Sequence, residues 1–188
     1  AERLHRLSRE DSLTGLANRR SFDEALDREW RRCQRDKQPL TLMLVDVDCF
    51  KAYNDHYGHL QGDRCLQQLS NELRRHGRRG GDVVARFGGE EFVMLYPGIG
   101  DTEAQQLAAR VCRSVRALAL PHSQNPGTDE VTVSIGVAVL VQTPNQTPRA
   151  LLDAADRALY QAKQSGRDTW RLYEPPPKVR LVKDDKGL

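Results

Sequence analysis

The sequence has no uninterrupted apolar run approaching the ~20 residues that a membrane-spanning helix needs. Its opening residues hold no apolar core of the secretory type. Paired cysteines are missing too: Cys33, Cys49, Cys65 and Cys112 are scattered and form no C-x-x-C. That argues against a disulfide framework or a zinc site and suits a reducing compartment. Charge of one sign is not in excess, and a net charge of +3 is too mild to point to a nucleic-acid polymer as partner. Internal repeats and low-complexity blocks are also absent. What is present is a chain of 188 residues, 38% hydrophobic and 29% charged, enough for one folded domain with a real core.

The pattern along the chain alternates helices and strands. Residues 1–10 carry Leu4 and Leu7 on one helical face and read as the end of an upstream signalling helix. "DSLTGLANRR" (11–20) breaks that pattern. Ser21-Phe22-Asp23-Glu24 fits a capping box, opening a helix whose apolar face is Phe22, Ala25, Leu26, Trp30 and Cys33. "LTLMLV" (40–45) is a continuous apolar run, the mark of a central strand, and it ends on Asp46 and Asp48. A short helix around 51–57 and a longer one at 62–76 follow. Two strands, 82–87 and 91–96, are joined at Gly88-Gly89, a strong hairpin signal because primed turns need positive φ. Thr102 caps a helix reaching about 119, with Gln105 at the box position. Residues 131–141 place Val131, Val133, Ile135, Val137, Val139 and Val141 on one face of a strand. Pro148 opens the last helix, 169–173 is a final short strand, and 174–188 is a proline-broken charged tail. The central order β-α-β-β-α-β predicts an α+β fold, one antiparallel-containing sheet flanked by helices.

The chemistry concentrates in the acids. In such a sheet the first strand and the hairpin can be neighbours, so Asp46 and Asp48 could meet Glu90 and Glu91. Gathered carboxylates repel unless a cation neutralises them, and hard oxygen ligands suit Mg²⁺ or Mn²⁺. The alternative is a pair of solvated acids at a turn. Other residues fit a nucleotide. Lys51 and the backbone at Phe50 could hold a triphosphate. Asn54 and Asp63 could hydrogen-bond a guanine edge. Lys163 and Arg167, four apart, could share a helical face toward terminal phosphates. For each, an ordinary surface polar group is the competing reading.

"DSLTGLANRR", "DVDCFKAYNDHYGHLQGD", "RFGGEEF", "TVSIGVA" and "ADRALYQAKQSGRD", in that order, resemble the GGDEF domain of diguanylate cyclases, in its GGEEF variant, over about residues 10–173. The resemblance implies a palm-like core and a Mg²⁺- or Mn²⁺-dependent condensation of two GTP into cyclic di-GMP. It implies Asp46, the Val47 carbonyl and Glu90 as metal ligands, with Glu91 in support and Glu90 as candidate base. Cys49, Phe50, Lys51, Lys163 and Arg167 would face the phosphates, Asn54 and Asp63 the guanine, and His59 would lie near the nucleotide. Gly88 and Gly89 would let the backbone approach the α-phosphate. His56 and His59 are rejected as a transition-metal pair, since the surrounding donors are oxygens.

The product has twofold symmetry, which implies an isologous homodimer beneath an upstream sensory domain. The expected location is the cytoplasm or the cytoplasmic face of a membrane-anchored parent. The arginine run Arg74, Arg75, Arg78, Arg79 can be helix-end surface. Yet Arg79-x-x-Asp82 ahead of the signature resembles the family's product-inhibition site, with Arg110 as a further member. Against an active cyclase with product feedback stands a catalytically silent cyclic di-GMP sensor. The presence of Asp46, Lys51, Glu90 and Glu91 favours the enzyme.

Overall fold

The computed structural model describes residues 9–177. Helix α1 (Arg19–Asp36) is capped by Asn18, whose Oδ1 accepts from the Ser21 amide at 2.9 Å. The expected cap at Ser21 is therefore three residues late. An Asn side chain caps as well as a Ser, and the Ser21 hydroxyl is used elsewhere, donating to Arg9 O at 2.7 Å. The apolar face is as expected, with Phe22, Ala25, Leu26, Trp30 and Cys33 buried.

Strand β1 (Pro39–Val47) is buried along nearly its whole length. Two helices follow, α2 (Phe50–Tyr57) and α3 (His59–Arg74), separated by Gly58 at φ +86. The second helix begins at His59, earlier than its apolar pattern indicates. Strands β2 (Val83–Gly88) and β3 (Glu91–Pro97) form the hairpin. Arg86 faces Phe92 and Gly88 faces Glu91, so Phe87 is an extra residue in β2, a bulge that shifts the register. The turn is consequently Gly89-Glu90, one residue beyond the expected Gly88-Gly89, and Gly89 supplies the positive φ (+48).

Helix α4 (Asp101–Ala117) starts after Gly100, not at a Thr102 cap; Gln105 Nε2 donates to Asp101 O instead. Asp101 and Glu103 in its first turn complement the helix dipole. Strand β4 (Val133–Val141), helix α5 (Pro148–Gln164) and strand β5 (Trp170–Leu172) complete the fold. Thr147 caps α5 and Pro148 occupies its first turn, where a missing N–H costs nothing.

The sheet order is β2-β3-β1-β4-β5. β1 pairs antiparallel with β3 and β4, and β5 joins β4 in parallel. Strand alternation splits the core in two. Met43, Val45, Phe92, Met94, Ile135 and Val137 face α2, α3 and α4. Leu42, Leu44, Val93, Leu95 and Ala138 face α1 and α5. Each such large apolar side chain contributes about 1.5–3 kcal/mol on burial. The structure is thus an α+β layer arrangement, as the element order indicates.

Among the described residues no helix is long and apolar enough to cross a membrane. Most of the segment read as a signalling helix, and 178–188 of the tail, lie outside the described residues. Glu10 pairs with Ala17 in an isolated bridge rather than continuing a helix.

Candidate active site

The antiparallel register of β1 and β3 places Asp46 directly opposite Glu91. The adjoining turn carries Glu90, whose carbonyl accepts from the Val47 amide at 3.3 Å. Acids far apart in sequence therefore meet at one end of the sheet. Lys163, from the last turn of α5, donates to Asp46 Oδ2 at 2.8 Å. Burial raises the Asp46 carboxyl above the ordinary range; the Lys163 ammonium offsets this only partly, and Glu90 and Asp48 add repulsion. Burial likewise raises Glu91, with Asp46 the next contributor.

This is a crowded anionic site that draws positive charge. Among the described residues no three His, Cys, Asp or Glu side chains form a ready-made metal cage. Mg²⁺ does not require one, since it typically takes one or two carboxylates and completes its shell with water and phosphate. The donor set of Asp46, Glu90, Glu91 and the Val47 carbonyl fits such a cation.

Asp48 separates from the other acids. It is buried and acts as an acceptor, from Thr132 Oγ1 at 2.7 Å, Ser134 Oγ at 2.6 Å and the Asp168 amide at 2.9 Å. It thereby ties the end of β1 to β4 and to the turn after α5. Next to it, Cys49 takes the left-handed conformation (φ +54) at the N-cap position of α2, with no capping hydrogen bond from its side chain. The first-turn N–H groups of α2, at Phe50 and Lys51, are thus presented at a helix N-terminus, the usual anion-binding arrangement. Lys51 is exposed on that turn. Lys163 and Arg167 do not share a helical face as expected. α5 ends at Gln164, and Arg167 lies beyond it at φ +63.

Asn54 comes against α3 at Gly62, the residue before Asp63. Its Oδ1 is buried and has no hydrogen-bond partner, and a Cβ at Gly62 would overlap it. His59 and Asp63, one turn apart on α3, are exposed on the same side. A Cβ at Gly88 or Gly89 would meet no protein atom, so the space over the hairpin is open.

A clamp on the hairpin escaped the sequence reading. Arg86 Nε and Nη2 donate to Gly89 O at 2.9 and 2.8 Å, while its Nη1 reaches both oxygens of Asp11 at 3.3 Å. Asp11 also accepts from the Thr14 amide and hydroxyl. Burial alone would raise the Asp11 carboxyl; Thr14 and Arg86 outweigh it and hold it below the ordinary range. The polar stretch 11–20 is therefore a brace for the turn that carries Glu90. Arg74 belongs to the same brace, donating to Thr14 O at 3.0 Å, and not to the arginine cluster it adjoins in sequence.

Arg79, Asp82 and Arg110 line one cavity of ≈ 370 Å³, together with Arg75, Arg78 and His76. Asp82 Oδ2 accepts from the Arg79 amide at 2.9 Å, and Arg79 Nη2 donates to Pro97 O. Asp82 Oδ1 is buried, 3.7 Å from Arg79 Nε and without a hydrogen bond. Burial lowers the His76 imidazole below its ordinary range against the pull of Glu72, and Arg110, Arg75 and Arg78 reinforce it. This positive cavity opens where β2 begins, whereas the acids lie where it ends.

Comparison with known proteins bears on the family and the fold. Diguanylate cyclase DgcP of Pseudomonas aeruginosa is 40% identical over 158 residues, covering 84% of this chain and 23% of that protein. The crystal structure of the coiled coil and GGDEF domain of DgcB from Caulobacter crescentus in complex with c-di-GMP superposes with a TM-score of 0.81 at 28% identity, covering 91% of this chain and 88% of that one. Diguanylate cyclase SiaD in complex with its activator SiaC, from Pseudomonas aeruginosa, gives a TM-score of 0.79 at 39% identity, with 91% and 64% covered. The chain spans less than half the length of DgcP and of the Escherichia coli probable diguanylate cyclase DgcC. Residues 8–169 match the family described as "Diguanylate cyclase, GGDEF domain", and with the acids, the hairpin and the sheet order in place, the chain belongs to the GGDEF domain family.

Proposed function

We propose that this domain condenses two GTP into cyclic di-GMP and releases two pyrophosphates. The observation that carries the reading is the pairing of Asp46 with Glu91, beside Glu90 and the N-terminus of α2. Asp46, the Val47 carbonyl and Glu90 would hold Mg²⁺ or Mn²⁺, with Glu91 completing the negative field. When bound, such an ion neutralises phosphate charge and acidifies a hydroxyl.

The chain's own groups do the rest. N–H groups at Cys49, Phe50 and Lys51, the Lys51 ammonium and the Arg167 guanidinium hold the triphosphate. Lys163, which donates to Asp46 Oδ2 in this structure, would be the ammonium that meets phosphate beside that carboxylate. Asn54, whose buried Oδ1 lacks a partner, and Asp63 read the guanine edge, with His59 beside the nucleotide. Glu90 would serve to hold the cation and place negative charge more than to take the proton. The open backbone at Gly88 and Gly89 admits the α-phosphate. There the 3′-oxygen of a second GTP forms a P–O bond, its proton leaves to solvent, and the bond to pyrophosphate breaks. A second transfer in the opposite sense closes the ring. Two domains face to face in a homodimer present the two GTP molecules to each other.

Cyclic di-GMP bound at Arg79, Asp82 and Arg110 would inhibit by fixing the domains apart, because that cavity lies at the far end of β2 from the acids. Incubation with GTP and Mg²⁺, followed by chromatography of the products, tests the reading. Cyclic di-GMP and pyrophosphate in a 1:2 ratio are expected. Binding of cyclic di-GMP with no turnover of GTP would make the domain a sensor instead.

A further inference from the structure

His122 is fully buried in the segment between α4 and β4, and nothing in its sequence surroundings marks it. Its Nε2 lies 3.1 Å from Cys49 O. A carbonyl has no proton to give, so Nε2 must carry the hydrogen and donate. The imidazole is wedged edge-on against Tyr53, with ring centroids 5.0 Å apart, and near Tyr57 at 6.5 Å. Tyr57 in turn accepts from the Ser123 amide at 2.9 Å. The same segment reaches Asp48 by a relay. Asn125 Nδ2 donates to Thr132 Oγ1, which donates to Asp48 Oδ2.

These contacts converge on one peptide. Cys49 has a Cβ yet sits at φ +54, a conformation that costs roughly 1–2 kcal/mol without compensation. Its carbonyl accepts from both the Tyr53 amide at 3.0 Å and His122. Across a trans peptide the C=O of one residue and the N–H of the next point in opposite directions. Pinning the Cys49 carbonyl toward His122 therefore aims the Phe50 N–H outward, where α2 offers its free amides. We infer that His122 is a positioning residue for the phosphate-binding turn, holding the Cys49–Phe50 peptide so that its N–H meets the triphosphate. This rests on the assignment of that turn to the phosphates of GTP.

Two substitutions separate a positioning role from a filling one. His122→Gln puts an amide N–H where Nε2 lies; His122→Phe keeps the ring and removes the donor. Each protein is titrated with inorganic pyrophosphate while the Phe50 and Lys51 amide resonances are followed, and kcat and KM for GTP and the thermal midpoint are measured. His122→Phe is expected to bind pyrophosphate roughly three- to tenfold more weakly, with the Phe50 shift reduced and KM raised more than kcat falls. His122→Gln is expected to retain the wild-type response. Equal binding by wild type and a folded Phe variant, or equal losses in both variants tracking their thermal midpoints, overturns the inference. In the unsubstituted protein the imidazole nitrogen shifts must report the Nε2–H tautomer; an Nδ1–H tautomer overturns it even if a variant fails to fold. Wild-type protein whose α2 amides do not respond to pyrophosphate removes the phosphate assignment itself, whereas a wild-type response that His122→Phe preserves removes only the role of His122.

Discussion

At the residue scale, two glycines show how similar sequence signals carry different meanings. Gly62 lies inside α3, where Gly costs about 0.5–1 kcal/mol relative to Ala. A Cβ there would overlap the movable Asn54 Oδ1. Gly62→Ala should therefore leave the thermal midpoint unchanged or slightly raised, while KM for GTP rises about tenfold as Asn54 is displaced. Unchanged KM would remove Asn54 from guanine recognition. Gly136 in β4 differs, because its Cβ would run into backbone at Ala155 and Leu159. Gly136→Ala should cost about 1–3 kcal/mol, measured by urea unfolding, since neither strand nor helix can yield cheaply. Asp46→Asn makes the opposite trade. The carboxyl is raised by burial and by its acidic neighbours, so the neutral amide should not lower the midpoint in metal-free buffer. It should abolish both turnover and the gain in midpoint on adding Mg²⁺. A large loss of stability would mean that the Lys163 pair, not a cation, is what Asp46 serves.

At the scale of elements, the hairpin depends on its brace. Arg86 holds Gly89 O through two nitrogens and Asp11 through a third, a fork that Lys cannot reproduce. Arg86→Lys should cost about 1–2 kcal/mol of stability and lower kcat well beyond that, because the turn bearing Glu90 loosens. Combined with Asp11→Asn the losses should be less than additive in a double-mutant cycle; strict additivity would show the two residues acting independently. The brace was not legible in sequence. Asp11 and Arg86 are widely separated and no period links them, whereas Asp46 follows an apolar run and Glu90 follows a Gly-Gly pair. The turn lies one residue beyond the Gly88-Gly89 pair for a related reason: the bulge at Phe87 is set by pairing with β3, which local propensity does not encode.

For the whole molecule, the sheet carries its gathered acids at one end and the arginine-lined cavity at the other. Asp46 and Glu91 have raised carboxyls, so their protonated forms favour the metal-free fold. That contribution is present at low pH and lost as pH rises through the raised values. A cation wants the ionised forms. The gap between thermal midpoints with and without Mg²⁺ should therefore open as pH rises above the ordinary carboxylate value of ~4. A gap independent of pH would separate the cation from these acids. At the other end, Arg79→Ala should raise the cyclic di-GMP concentration needed for half-inhibition at least about tenfold, with KM for GTP unchanged. An unchanged inhibition curve removes that cavity from regulation. Because the proposed chemistry needs two domains, specific activity should rise with protein concentration; a flat profile on dilution would mean that one domain suffices.

The sequence by itself determined the elements, the composition of the core faces and the acids at strand and turn ends. Those features follow from local periodicity and from the conformational demands of glycine and proline. Only the tertiary structure decided that Asp46 meets Glu91 and Lys163, that Asp48 is spent on Thr132, Ser134 and the Asp168 amide, and that His122 holds Cys49. Those pairings join residues distant along the chain. They arise from sheet register and helix packing, which are properties of the folded chain as a whole and are written in no single stretch of it.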